Sequence, residues 1–184
     1  MLKIIQAPNP VLSQVAVEIS GNPPKLDPKF LKEMETALDN ASDPKGVGLA
    51  APQVEKPLSL FIAKPTEKSK LQVFINPKII SLENKPKPKT KGKRKKDKKL
   101  EGCLSLQDIW GEVKRFDIVT LEYFDEKGVK HTKKLSGFMS IIVQHEVDHL
   151  LGILFPKRVL EQKGKLYKSS KNEEGELIFD PLEI

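Results

Sequence analysis

His145-Glu146-Val147-Asp148-His149 sets two imidazoles four residues apart, with a carboxylate directly after the first. Residues four apart share a helical face, so both rings can meet one metal ion while Glu146 reaches a water bound to it. Two of the chain's three histidines are spent here. The plain alternative is a solvated helix face with charges at helical spacing, but the His-Glu-x-x-His order is the one a hydrolytic metal site requires. Asp148 either orients a ligating imidazole or faces solvent. A catalytic zinc-type site takes three protein ligands and keeps a fourth position open. Two residues are candidates for the third. His131 lies among Lys130, Lys133 and Lys134 and reads as an exposed strand residue. Cys103 lies in Glu101-Gly102-Cys103-Leu104-Ser105, where Gly102 allows close backbone approach and Leu104 offers an N–H beside the metal. As the single cysteine it cannot form an internal disulfide, so it is a small buried hydrophobe or a thiol with a task.

Gly46-Val47-Gly48-Leu49-Ala50-Ala51-Pro52-Gln53 matches the dinucleotide pattern G-x-G-x-x-A, but that fingerprint must follow a strand and open a helix. Here a helix and the Asp43-Pro44 turn come first, and Pro52 disfavours helical geometry just before it. The nucleotide reading fails. Two readings remain: a purely structural turn, or an extended segment whose bare backbone pairs with a bound peptide while Gln53 supplies an amide donor.

The elements around these motifs fit one soluble α+β domain of 184 residues, 38% hydrophobic and 31% charged, long enough to bury a sizeable core. Asp27-Pro28 reads as an N-cap followed by proline at the first helical position. Phe30, Leu31, Met34, Ala37, Leu38 and Ala41 then follow at helical spacing, which predicts an N-terminal amphipathic helix. Residues 58–62, 71–75, 118–124 and 129–134 read as strands, with a turn over 125–128, and a second helix is expected over 137–151. Strand and helix do not alternate as a parallel doubly wound sheet requires, so antiparallel strands packed around a central metal-binding helix are expected. No apolar run approaches the roughly 18 residues of a membrane span, and residues 1–10 lack the core of a signal peptide. A cytoplasmic monomer without membrane contact is the expectation.

Together, the glycine-rich, cysteine and Gln144-His145-Glu146-Val147-Asp148-His149-Leu150 motifs, in that order, resemble the peptide deformylases, which remove the formyl group from the N-terminal methionine of nascent chains. The resemblance also takes in Pro8-x-Pro10-x-Leu12, Asn76-Pro77, Val113-x-Arg115 and Gly137, and it runs to about Phe155. Departures are a lysine insertion before the cysteine motif, Ile141 where a polar or basic residue is common, and a tail after Arg158 that does not align. The resemblance implies Cys103, His145 and His149 as ligands of one divalent ion, natively Fe²⁺ with Zn²⁺, Ni²⁺ or Co²⁺ accepted. It implies Glu146 as general acid and base, with the Gln53 amide and the Leu104 N–H on the developing oxyanion. The formylmethionyl peptide would run as an added strand beside Val47 and Gly48, its methionine in an apolar pocket near Phe138, Ile141 and Ile142, with Glu101 and Arg115 paired in support. Formate and a free N-terminus are the products.

Two other classes compete. A general zinc peptidase would share His145, Glu146 and His149 but normally takes a downstream third ligand. A nucleic-acid-binding module would account for the net charge of +7. That charge is local, since residues 85–99 hold nine lysines and Arg94 against Asp97 alone and the rest of the chain is near neutral. The segment has no aromatic residue to stack on bases. It reads as a disordered insertion within one domain, either a plain solvated loop or an electrostatic tether to ribosomal RNA.

Overall fold

The computed structural model describes residues 2–42, 44–86 and 100–183. Most of the lysine-rich segment, 87–99, lies outside the described residues, and so does Asp43. The fold is α+β, with three α-helices and two antiparallel sheets among the described residues. The larger sheet has the order β1-β2-β3-β6-β7, from Gly48–Ala50 (β1), Leu60–Ala63 (β2), Gln72–Glu83 (β3), Ile118–Phe124 (β6) and Lys130–Ser136 (β7). The smaller runs β4-β5-β8-β9, from Glu101–Cys103 (β4), Leu106–Gly111 (β5), Leu166–Lys171 (β8) and Leu177–Pro181 (β9). Helix α1 spans Pro28–Asp39, α2 Phe138–Leu150 and α3 Phe155–Glu161. No single helix among the described residues is long and apolar enough to cross a membrane.

Period-two alternation divides the core between two helices. On β2, Phe61 and Ala63 face the α2 side, joined by Phe74, Val119, Leu121, Ile142, Val143 and Val147. Leu60 and Ile62 face the α1 side, with Met34, Leu38, Leu49, Val73 and Ile75. Phe61 stacks on Phe74 with ring centroids 4.5 Å apart. Asp27 caps α1 by accepting a hydrogen bond from Lys29 N at 2.9 Å, with Pro28 at the first helical position. Helix α2 is buried on nearly every side, so its polar groups need partners. Gln144 finds them on Phe116, accepting from its N–H at 3.0 Å and donating to its carbonyl at 3.0 Å.

Several elements differ from the sequence expectation, each for a physical reason. The strand expected over 71–75 continues to Glu83 through a bulge at Asn76-Pro77, where proline cannot donate to the ladder. Asn76 takes φ +48° there, and its side chain pairs with both backbone groups of Ile19. His131 is half-buried rather than exposed: it stacks on Tyr123 and meets Asp125 Oδ2 at 2.7 Å, on a different sheet from Cys103. The tail after Arg158 completes α3 and then forms β8 and β9, with β8 extending the sheet that carries the cysteine motif.

Candidate active site

Helix α2, the edge strand β1 and the edge strand β4 enclose a cavity of about 560 Å³. Gly46, Val47 and Gly48 line one wall and Glu101 to Leu104 the other, while Phe138, Ile141, Ile142, His145 and Glu146 come from α2. The cavity therefore lies between the free edges of two different sheets. Trp110, which sequence reasoning did not single out, also lines it, as does Val113 of the Val113-x-Arg115 motif. Trp110 is the single tryptophan and sits in the strand after the cysteine motif, so composition offered a signal. Its ring packs on Gly102, where a Cβ would meet it at 2.9 Å.

Cys103, His145 and His149 bring one ligand atom each to within 4.8 Å of one another. Cys103 Sγ lies 3.2 Å from His149 Nε2. The helical spacing of the two histidines turns both rings to the sulfur, at 5.0 Å between ring centroids. Cys103 reaches them because β4 and β5 are bulged between Gly102 and Cys103. The N-terminal segment secures that turn, Ala7 N donating to Ser105 O, and ties it to Gln53, whose carbonyl accepts from Ile5 N, both at 2.9 Å.

A chain of buried ion pairs holds His145. Its Nδ1 is 3.2 Å from Glu101 Oε2, which leaves Nε2 on the sulfur side. Arg115 donates to both Glu101 oxygens at 2.9 and 3.0 Å and to Asp148 Oδ2 at 2.6 Å. Arg158 on α3 closes the chain on Asp148 at 2.7 Å. Asp148 is thus buried rather than facing solvent, and its side-chain hydrogen bonds among the described residues go to the two arginines; Arg158 is a partner that sequence spacing could not reveal.

Burial pushes the Glu101 carboxyl up, but hydrogen bonds from His145 and Arg115 outweigh it and hold it below the usual carboxylate range. Burial, with the charges of His145 and Arg115 adding to it, drives His149 well below its ordinary value, so it is a neutral imidazole with a lone pair to give. Burial would also lower His145, yet its hydrogen bonds to Cys103 and Glu101 raise it. Burial raises the Glu146 carboxyl to about 7, with Glu101 adding to the effect and His145 and Arg115 opposing it. A carboxyl poised there can exchange a proton near neutral pH.

The donor set fits a divalent transition ion: a soft sulfur and two imidazoles converge, and the cavity opens beside them. Glu146 Oε2 is buried without a hydrogen-bond partner among the described residues, a group that needs something polar in front of it. Gln53 Oε1 accepts from Ala50 N at 2.8 Å, which turns the amide Nε2 toward Cys103 Sγ, 3.6 Å away, and Ser105 Oγ at 3.2 Å.

Gly48 is required by this packing. A Cβ built on it would stand 2.4 Å from Glu146 Oε1, so Gly48→Ala is expected to displace the carboxylate and lower kcat about a hundredfold, the cost of a 1 Å misplacement. The melting temperature should change little. A variant that turns over at the parent rate would show that the Glu146 position is immaterial.

The family model described as polypeptide deformylase matches residues 1–165. The peptide deformylase of Rhodopirellula baltica is 39% identical over 164 residues, covering 88% of this chain and 74% of that protein. That of Christiangramia forsetii is 36% identical over 184 residues, covering 92% and 87%. Among solved structures, a plant peptide deformylase superposes with a TM-score of 0.71 at 32% identity, covering 88% of this chain and 82% of that one. The Synechococcus elongatus peptide deformylase, in complex with actinonin, gives 0.70 at 30% identity, covering 85% and 78%.

Proposed function

The chain belongs to the polypeptide deformylase family, and from that premise we propose that Cys103, His145 and His149 hold the divalent ion with which it hydrolyses N-formylmethionyl peptides. The observation that carries the reading is the convergence of these three side chains beside a cavity of about 560 Å³ that Cys103, His145 and Glu146 line. When bound, the ion would polarise the formyl carbonyl and lower the pKa of a coordinated water. Fe²⁺ is the ion proposed for the native protein, because the family resemblance implies it and the donor set suits it.

The chain's own groups do the rest. Glu146 takes the proton of the attacking water as its oxygen bonds to the formyl carbon, then returns that proton to the amine nitrogen as the C–N bond breaks. Formate and a free amine leave. The Gln53 amide and the Leu104 N–H stand where negative charge develops on the formyl oxygen. Glu101, held by Arg115, keeps the His145 ring oriented. The peptide backbone lies beside Val47 and Gly48, where β1 begins, as an added strand, and its methionine enters the apolar region of Phe138, Ile141 and Ile142.

Paired assays test the whole reading. A formyl-methionyl tripeptide should release formate, and the same peptide without the formyl group should stay intact. Cleavage of internal peptide bonds in the unformylated peptide would favour the zinc peptidase instead.

A further inference from the structure

A second cavity, of about 400 Å³, shares the wall Lys45, Gly46 and Val47 with the first. Its far wall is the loop Lys64 to Glu67, and Leu38 and Asp39 at the end of α1 close it. We infer that this groove is a downstream binding site for the substrate, taking the formylated chain from about its fourth residue onward. The inference rests on the reading that a peptide pairs along β1.

Direction follows from burial. Past Gly48 the strand enters the core, where Leu49, Ala50 and Ala51 are fully buried, so a chain whose formyl end sits beside Glu146 cannot leave that way. It leaves along Val47, Gly46 and Lys45, antiparallel to β1. Before Gly48 the protein chain bends, and Lys45 bridges Ser42, so β1 itself offers no further pairing; a substrate extended at about 3.3 Å per residue from Gly48 comes level with Lys45 at about its fourth residue. The shared wall then delivers the chain into the second cavity. Two lysines face two acids there, Lys64 with Asp39 at 2.7 Å and Lys45 with Glu67. The groove therefore takes polar extended chain without selecting for its charge.

The test compares formyl-Met-Ala-Ser with formyl-Met-Ala-Ser-Ala-Ser-Ala in the metal-loaded enzyme. The hexapeptide should have a kcat/KM about tenfold higher, the effect of one or two net hydrogen bonds, expressed in KM. Thr66→Trp and, independently, Glu67→Trp each place an indole in the groove from its exposed loop. Both should bring the hexapeptide down to the tripeptide value while tripeptide hydrolysis is unchanged. Equal kcat/KM for the two peptides in the parent enzyme would overturn the inference, as would a hexapeptide advantage that survives both fillings. Hydrolysis of neither peptide would instead strike the reading of the active site, and the groove with it.

Discussion

Purified Cys103→Ala protein is expected to carry far less than one ion per chain and to lose formate release at the same time. Losing an outer partner of a metal ligand already costs about 10–100-fold in affinity, so losing a ligand should cost more than about 100-fold. The argument rests on geometry. Cys103 is 2% exposed, its sulfur lies 3.2 Å from His149 Nε2, and His131, the other candidate considered, stands on a different sheet beside Asp125. The variant should still fold, because the side chain is small and the turn around it is tied to the N-terminal segment by the Ala7 N to Ser105 O and Gln6 Nε2 to Leu104 O hydrogen bonds. Elemental analysis of the purified protein, with circular dichroism to verify the fold, decides the matter. Stoichiometric metal in the variant would remove Cys103 from the ligand set.

Glu146→Gln should separate chemistry from metal retention. The carboxyl is buried, raised to about 7, and has one oxygen without a partner among the described residues, as a proton carrier in a dry site should be. Replacing it keeps the shape and removes the exchangeable charge. Metal content should remain at the parent level while kcat falls by about two to four orders of magnitude. A variant with near-parent kcat would rule out the proton-transfer role. One that loses its metal would place Glu146 among the ligands instead.

The parts of this site legible in the sequence are those whose geometry is local. A spacing of four residues on a helix obliges His145 and His149 to share a face, and α2 carries them as that spacing requires. The alternation in 118–124 marks β6 to the residue, because one face of that strand is core. What was hidden depends on distant partners. Nothing near Arg158 announces that it will meet Asp148, nor does anything near Asp148 say that it will hold two arginines. β4 is three residues long and bulged, so it has no period to read. β8 buries only Leu166 and Ser169, and β9 is exposed along its length, so neither writes a hydrophobic pattern into the tail.

The cavity between β1 and β4 has a consequence for the molecule as a whole. Each strand ends its own sheet, and on the proposed reading a chain bound between them would supply the strand that the β1 edge lacks while lying against β4. Substrate would then be a temporary structural member, adding a backbone link between two sheets that side chains and the N-terminal segment already tie together. A chain paired with both edges would couple their opening more tightly than the Gln53 contacts to Cys103 and Ser105 already do, so hydrogen exchange at β1 and at β4 should slow together on binding. Departure of the deformylated chain and the loss of that added link are, on this view, a single event.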